Sequence, residues 1–591
     1  MEALDRGLVA VAVEDGVLVR WRLFGTDPEG VAFDVYRDEE RVTESPIDSS
    51  TNYLDPEGTT DAEYAVAPVE NGAEGEQSDA VGVWAQNYLE IPLEKPADTT
   101  NADGEDVEYH ANDAAPADLT GDGSYDLVLK WSPSDAKDNA HEGHTSNVYL
   151  DGYTLEGEQL WRIDLGPNVR AGAHYTPFQA YDYDGDGIAE VAVRTSDGAT
   201  DAAGTVIGDS EADHANADGR ITEGPEFLTV FDGETGELLD SVDFSPPRGD
   251  VCRWGDCYGN RADRFLAGTA YLDGVHPSLV MARGYYEKTM LTAYDFRDGE
   301  LEERWTFDSD EAGPAYEGQG NHSLSVADVD GDGKDEIVYG AMVVDHDGTG
   351  LYSTEWNHGD ALHVGDFLPD REGLEVFQPH EWGPRGATLR DAETGEELWS
   401  EPSNEDVGRG MIADVDPNYE GAEMWASHGV GFWSSDGEHL GPELHSINFG
   451  VWWTGDRQRE LLDHDWHDTY GIGKIEKWNP EAGELETLVR FEGTRSNNWT
   501  KGNPCLSGDI LGDWREEVVW RTEDSSALRL YATTHETDHR MPTLMHDPQY
   551  RTAMAWQNVA YNQPPHPSFF LGEGMDEPPT PDISLVDAAD D

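Results

Sequence analysis

One unit recurs along this chain and limits what it can fold into: an acidic, glycine-bearing turn that runs straight into an apolar strand. It begins as "ADLTGDGSYDLVLKW" at Ala117, "AYDYDGDGIAEVAVR" at Ala180, "ADVDGDGKDEIVYGA" at Ala327, "GDFLPDREGLEVFQPH" at Gly365, "ADVDPNYEGAEMWAS" at Ala413 and "GDILGDWREEVVWR" at Gly508. Degenerate copies fill the gaps, "AYLDGVHPSLVMARG" at Ala270 and "WWTGDRQRELLD" at Trp452. Several units continue into a second strand and turn, as in "FLTVFDGETGELL" and "ATLRDAETGEELW". A multi-strand unit repeated about eight times, at irregular intervals of roughly 40 to 90 residues, reads as a β-propeller. No long stretch carries a 3.6-residue apolar period, so the expected class is all-β.

Ahead of the repeats, residues 1–93 alternate in short runs ("GLVAVAVEDG", "VLVRWRLFG", "AFDVYRDEERV", "AEYAVAPV") separated by turn residues. That pattern predicts a small β-sandwich, fibronectin-III-like in size. Residues 94–107 are polar and read as a linker, 108–572 as the propeller, and 573–591 as an acidic, proline-rich tail that either closes a blade or stays disordered.

The charge balance is extreme: 123 acidic against 37 basic residues, net −86. With 19 Trp, 24 Tyr and 16 Phe the chain can still bury a core, so the acidity describes a surface rather than a disordered polymer. An acidic surface of this density suits high salt, where screening makes self-repulsion tolerable. The absence of Lys/Arg clusters argues against nucleic acid as a partner. No apolar run is long enough to span a membrane, and the start "MEALDRGLVAVAVEDG" lacks the basic and apolar regions of a signal peptide. Cys252 and Cys257 in "CRWGDC" either pair or stay free, and Cys505 is left over.

The fullest turns offer carboxylates at alternate positions: Asp182, Asp184, Asp186 and Glu190 in one, Asp328, Asp330, Asp332 and Glu336 in another. Carboxylates so spaced in a tight turn can cage a hard cation, and calcium is the expected ion. An EF-hand is excluded, because its twelfth position falls on Val193 and Tyr339, both strand residues. Asp118, Asp122 and Asp126 form a weaker third set, with Thr120 in place of one acid. The competing reading is that Asp and Gly are simply good turn formers.

Chemistry is expected outside these turns, in "NVRAGAHYT", "YEGQGNHSL", "WNHGDALHV", "QPHEWGPRG", "EDVGRGM", "NNWTKGNP" and "WQNVAYNQPPHP". Lys501 and Arg409 stand out as rare cations among Gly, Asn and Thr, and His322, His358, His363 and His380 gather between neighbouring repeats.

In these clusters a resemblance becomes specific. "WRIDLGPNVRAGAHYTPFQAYDYDGDGIAEVAVRTSDG", "GQGNHSLSVADVDGDGKDEIVYGA", "GLYSTEWNHGDALHV" and "LSGDILGDWREEVVWR" resemble the rhamnogalacturonan lyases of polysaccharide lyase family 11, over residues from about 100 to 572. The resemblance implies an eight-bladed, calcium-loaded β-propeller that cleaves the rhamnose–galacturonate backbone of rhamnogalacturonan I by β-elimination. That substrate is a large polymer outside the cell, so the enzyme is expected there or at the cell surface, although the chain shows no leader and a cytoplasmic protein is the alternative; the expected state is a monomer. Carried over position by position, it implies Lys501 as base and Arg409 as a charge-neutralising or proton-transfer partner. His322 and His358 then hold the catalytic metal. Asn112, Asn498, Trp499, Thr500, Asn558, Val559 and Tyr561 contact substrate, as does Ser132, which stands where the family carries an Asp. Trp499 stands where the family's loop tends to be small.

Abstraction of the weakly acidic C5 proton of a uronate requires the adjacent carboxylate to be neutralised and a base to be in reach. The residues supply both. Histidine ligands by themselves point to a transition metal, whereas the resemblance points to calcium, with manganese as the second choice. No long insertion precedes "EDVGRG", which favours endo action. Two other functions fit the acidic turns alone: a non-catalytic, calcium-loaded glycan-binding or adhesion propeller, and a glycoside hydrolase with two spaced carboxylates.

Overall fold

The computed structural model describes residues 1–575, 577–581 and 583–586. The repeats become eight antiparallel sheets, each with four strands in sequential order, apart from the eighth. The innermost strands of blades one to eight are Tyr109–Ala117, Phe178–Tyr181, Phe265–Ala270, Ser325–Ala327, His363–Gly365, Gly410–Ala413, Phe449–Val451 and Leu506–Gly508. The acidic turn of each unit links this strand to the second strand of the same blade.

The eighth blade takes its outer strand from far upstream: Tyr88–Pro92 pairs antiparallel with Ala527–Tyr531, Ile91 opposite Leu528. The ring is therefore closed by a strand that precedes blade one, and the expected sandwich boundary at residue 93 shifts back to Trp84, the end of the last strand of the N-terminal β-domain. Within the stretch read as a linker, Thr99–Thr100 and Asp106–Val107 form a short hairpin. Of the C-terminal tail, residues 576, 582 and 587–591 lie outside the described residues; the described remainder contains no strand.

The N-terminal domain places two groups of strands around one core of Val17, Val19, Trp21, Phe33, Val35, Tyr64 and Val66. It docks on the acidic turn of blade eight. Arg20 reaches Glu517 at 2.9 Å and Asp513 at 3.4 Å, all three side chains fully buried, and Arg22 donates to the Ile510 carbonyl. In this blade a guanidinium fills the acidic turn. Breaking such a buried pair leaves an uncompensated charge and costs about 3–5 kcal/mol.

In seven blades the second strand starts with an acid whose carboxylate accepts the backbone N–H two residues beyond the first strand. The pairs are Asp126 with Leu119, Glu190 with Tyr183, Glu336 with Val329, Glu375 with Phe367, Glu423 with Val415, Glu460 with Trp453 and Glu517 with Ile510. These bonds span 2.8–3.1 Å. Each closes the turn on a backbone donor that would otherwise be orphaned.

A helix, Pro548–Trp556, runs against the innermost strands of blades one to four and plugs the central channel. Asp547 caps it by accepting from Tyr550 N, and Pro548 occupies its first turn, where a missing N–H costs nothing. Arg551 pairs with buried Glu2, tying the N-terminal residues into the channel. The chain leaving this helix rises to the face where the site lies.

Candidate active site

Antiparallel strands alternate in direction, so connections alternate between two faces of the disc. The acidic turns lie on the lower face. The connections that enter each first strand, and those between second and third strands, lie on the upper face. His322, His358, Arg409 and Lys501 all fall just before first strands, in blades four, five, six and eight. Sequence-distant residues thus converge around the upper end of the channel.

Lys501 ends a short 3-10 turn, Trp499–Lys501, which Asn498 and Trp499 enter with φ of 54° and 56°. Left-handed backbone at two successive non-glycine residues is costly, and such strain gathers where a side chain must be aimed. The Lys501 ammonium lies 3.2 Å from Asp360 and 3.9 Å from the Tyr561 ring centroid. Burial lowers its pKa below the ordinary lysine range, with Arg409 adding to the effect and Asp360 opposing it. Arg409 donates to the Thr500 hydroxyl at 3.0 Å, so the two cations share one wall.

The other wall is aromatic. The His322 ring stacks on Tyr561 at 4.2 Å, lies 4.8 Å from His358, and is met at both nitrogens by hydroxyls, Tyr285 at Nδ1 and Tyr286 at Nε2, each 3.0 Å away. Burial, with His358 and His174 nearby, holds His322 well below the usual histidine range, so it is neutral at physiological pH. Asp360 sits 3.4 Å from His322 Nε2 as well as beside Lys501. Ligand atoms of His322, His358 and Asp360 all lie within 4.8 Å of one another. Buried His358 Nε2 faces Glu381 Oε2 at 3.1 Å, while its Nδ1 donates to the Gly320 carbonyl. With Nδ1 so engaged, Nε2 turns a lone pair toward a carboxylate beside the His–His–Asp set, which fits a bound cation.

Several positions implied in the sequence lie elsewhere. Asn558 is 1% exposed, and its amide is spent on Phe178 N, Phe178 O and Ala555 O, while Val559 is 2% exposed in the core. Their side chains anchor the segment carrying Tyr561 and are not available to a sugar. Asn498 donates to Asn562 at 2.9 Å and Asn503 at 3.2 Å, bracing the Lys501 turn. Asn112 and Ser132 sit part-exposed on blade one, Asn112 at a bulge and Ser132 opposite His110. Trp499 is 81% exposed. His363 bonds His566 and the Gly410 carbonyl, and His380 bonds Thr388; both are buried in the scaffold, apart from the His322 pair.

Sequence reasoning missed Asp360, Glu381, Tyr285, Tyr286, His174 and Arg264. Asp360, Glu381 and His174 lay inside the polar stretches singled out. Arg264 and the tyrosines share a positional signal with the others: they immediately precede a first strand or follow a second.

On the lower face, Asp182, Asp184 and Glu190 bring ligand atoms together, as do Asp328, Asp330 and Asp332. Burial pushes Glu190 up to about 9 and Asp182 to about 6, with neighbouring carboxylates adding to it. Crowded carboxylates resisting ionisation are what a divalent cation relieves. Asp186 instead caps Ile188 N, and Glu336 groups with Asp332 and His346. The third set is not gathered: Asp118 accepts from Gly121 and Gly123, Asp122 from Ser124, and Asp126 from Leu119.

A propeller that gathers a largely buried lysine, an arginine and a His–His–Asp set at one end of its channel has the residues of an enzyme site. The comparisons narrow it. The model of the rhamnogalacturonan lyase family 11 C-terminal domain matches residues 88–581, and that of the rhamnogalacturonan I lyase beta-sheet domain matches 1–84. The chain is 59% identical over 597 aligned residues to the rhamnogalacturonan exolyase YesX of Bacillus subtilis, covering 99% of this chain and 98% of the relative. It is 55% identical to the endolyase YesW of the same organism, covering 99% and 93%. The crystal structure of YesX superposes with a TM-score of 0.98, and a Bacillus licheniformis rhamnogalacturonan lyase, 56% identical, with 0.96, each covering 99% of both chains. The chain belongs to rhamnogalacturonan lyase family 11.

Proposed function

We propose that this chain is a rhamnogalacturonan lyase that cleaves the rhamnose–galacturonate backbone by β-elimination, with Lys501 as base. The observation that carries the mechanism is the Lys501 amine, held beside Arg409 and Asp360 with its pKa lowered by burial. A neutral amine there takes the C5 proton, the C4–O4 bond breaks to leave a 4,5-unsaturated galacturonate, and the departing rhamnose oxygen takes up a proton from the Lys501 ammonium or from water. Arg409, next to the same pocket, pairs with the uronate carboxylate, which lowers the cost of the developing enolate charge. His322, His358 and Asp360 would hold a cation, calcium in this reading or manganese failing that, which when bound supplies further neutralisation of that carboxylate. Neutral His322 and His358 Nε2, which faces the Glu381 carboxylate, suit that role. Asp182, Asp184 and Glu190 and their counterparts near Asp328 would hold structural calcium.

Endo action is supported by a groove of about 760 Å³ that runs outward from Asp360 and Lys501 between blades six and seven, lined by Asp406, Arg409, His428 and Glu443. The substrate is a large polymer, which places the enzyme outside the cell or at its surface; among the described residues no helix is long and apolar enough to cross a membrane. The net charge of −86 supports work in high salt. Incubation with rhamnogalacturonan I, calcium and salt tests the reading through ultraviolet absorbance of the unsaturated uronate. Oligosaccharides without that absorbance would overturn it, and an early collapse in viscosity separates endo from exo cleavage.

A further inference from the structure

We infer that the loop joining blades two and three is a binding platform for the polymer that flanks the site, with Tyr258 as its stacking surface and Arg261, over the Tyr286 ring, as its partner for a galacturonate carboxylate. This rests on the lyase reading and extends its site across the disc. The argument begins with a diameter. In an eight-bladed ring the boundary between blades six and seven, where the groove runs, faces the boundary between blades two and three across the channel. A polymer lying in the groove and passing over Lys501 meets the loop from Phe244 to Arg264 on the far side.

That loop is unlike the rest of this acidic chain. It carries Arg248, Arg253, Arg261 and Arg264, while the whole chain has only 37 basic residues. Arg248 and Arg264 are buried, and Arg253 pairs with Asp310 at 2.8 Å. Arg261 is one-third exposed, over the Tyr286 ring and 3.4 Å from Glu287, itself 55% exposed. An exposed pair of that length exchanges its partner at little cost, so a sugar carboxylate can take the place of Glu287. Among the described residues the exposed large aromatic side chains are Tyr258, Trp382, Tyr470 and Trp499; three lie on upper-face connections and Tyr470 opens a strand at the upper face, whereas the exposed aliphatics, such as Val275, Leu239 and Leu488, include lower-face and outer-strand positions. Tyr258, 47% exposed, has Arg220 over its ring at 4.7 Å.

The loop is also preorganised. A Cys252–Cys257 disulfide closes it, Trp254 is buried and donates to the Arg248 carbonyl, and Asp256 accepts the backbone N–H of Tyr258, Gly259 and Arg261. A platform fixed before binding avoids the ordering cost that a mobile loop incurs. Rhamnose presents an apolar face with a methyl group and galacturonate presents charge, which matches the Tyr258 and Arg261 pair.

The test is kinetics on rhamnogalacturonan oligosaccharides of increasing length, together with affinity electrophoresis in gels containing rhamnogalacturonan I. For Tyr258→Ala and Arg261→Ala the KM ratio to wild type grows with chain length, to about two- to tenfold on the polymer, and retardation in the gel weakens. Arg261→Lys recovers part of the retardation. A KM ratio independent of length, or unchanged retardation, overturns the platform. Absence of unsaturated product from the wild type at every length overturns the lyase reading instead, and the retardation of the Tyr258 variant then decides the platform alone.

Discussion

The lower turns, such as 182–189 and 328–335, are near-uniform in length, and their carboxylates are spent on their own backbone and on one another. The upper connections run from 468–469 to 196–226, and their polar groups point across blades: Lys501 to Asp360, Arg409 to Thr500, Tyr285 and Tyr286 to His322. The difference teaches how one repeat carries two functions. A local carboxylate–backbone bond works in every blade because it needs only its own turn. A catalytic site needs one residue from each of several blades, so its connections diverge while the turns below stay alike.

The largest effect that sharpens this contrast is expected at Lys501. Lys501→Ala lowers kcat by about 10²–10⁴-fold, with the circular dichroism spectrum and bound calcium unchanged; activity within a few-fold of wild type would remove Lys501 from the mechanism. Asp360→Asn, which removes the carboxylate shared by His322 and Lys501, lowers activity by about 10–100-fold and moves the ascending limb of the rate profile. The sign follows from the Lys501 pKa: a base lowered beneath the lysine range gains its free amine as pH rises, so kcat/KM climbs with pH, and loss of Asp360 shifts that climb to lower pH.

On the lower face the expected loss is stability. Chelation, or Asp182→Asn with Glu190→Gln, lowers Tm by about 5–10 °C in calorimetry; an unchanged Tm on chelation would make these turns simple hydrogen-bonded caps. The smallest effect is a pH slope in low salt. Burial raises Glu423 to about 9, with Asp414 adding to it, and Glu375 to about 7. A carboxylate whose folded pKa lies above its unfolded value favours folding below about 4.5 and loses that contribution as pH rises through 7 to 9. Tm in chelator is thus expected to be a few degrees higher at pH 5.5 than at pH 8.5, and the slope to flatten in high salt.

All eight units were legible as acidic turns entering strands, because Asp, Gly and β-branched residues act within a few positions of each other. The closing strand Tyr88–Pro92 was not, because nothing local marks a partner at Ala527–Tyr531. His322, His358, Lys501 and Arg409 were legible by rarity and by resemblance. Asp360 was not, since one carboxylate among 123 acids carries no signal until Lys501 and His322 are folded around it. Asn558 and Val559 were misplaced for the converse reason: a polar motif near a site does not show whether its side chains face the sugar or the core.

The sequence by itself determined the architecture and the division into turns and strands, since turn chemistry and period-two apolar patterning are short-range. It also singled out Lys501, Arg409, His322 and His358 as residues that the structure then gathers. Tertiary structure alone decided which turns gather carboxylates and which take a guanidinium, as Glu517 takes Arg20. It alone decided that Lys501 sits largely buried beside Asp360, because burial and convergence are properties of the closed ring and not of any segment of it.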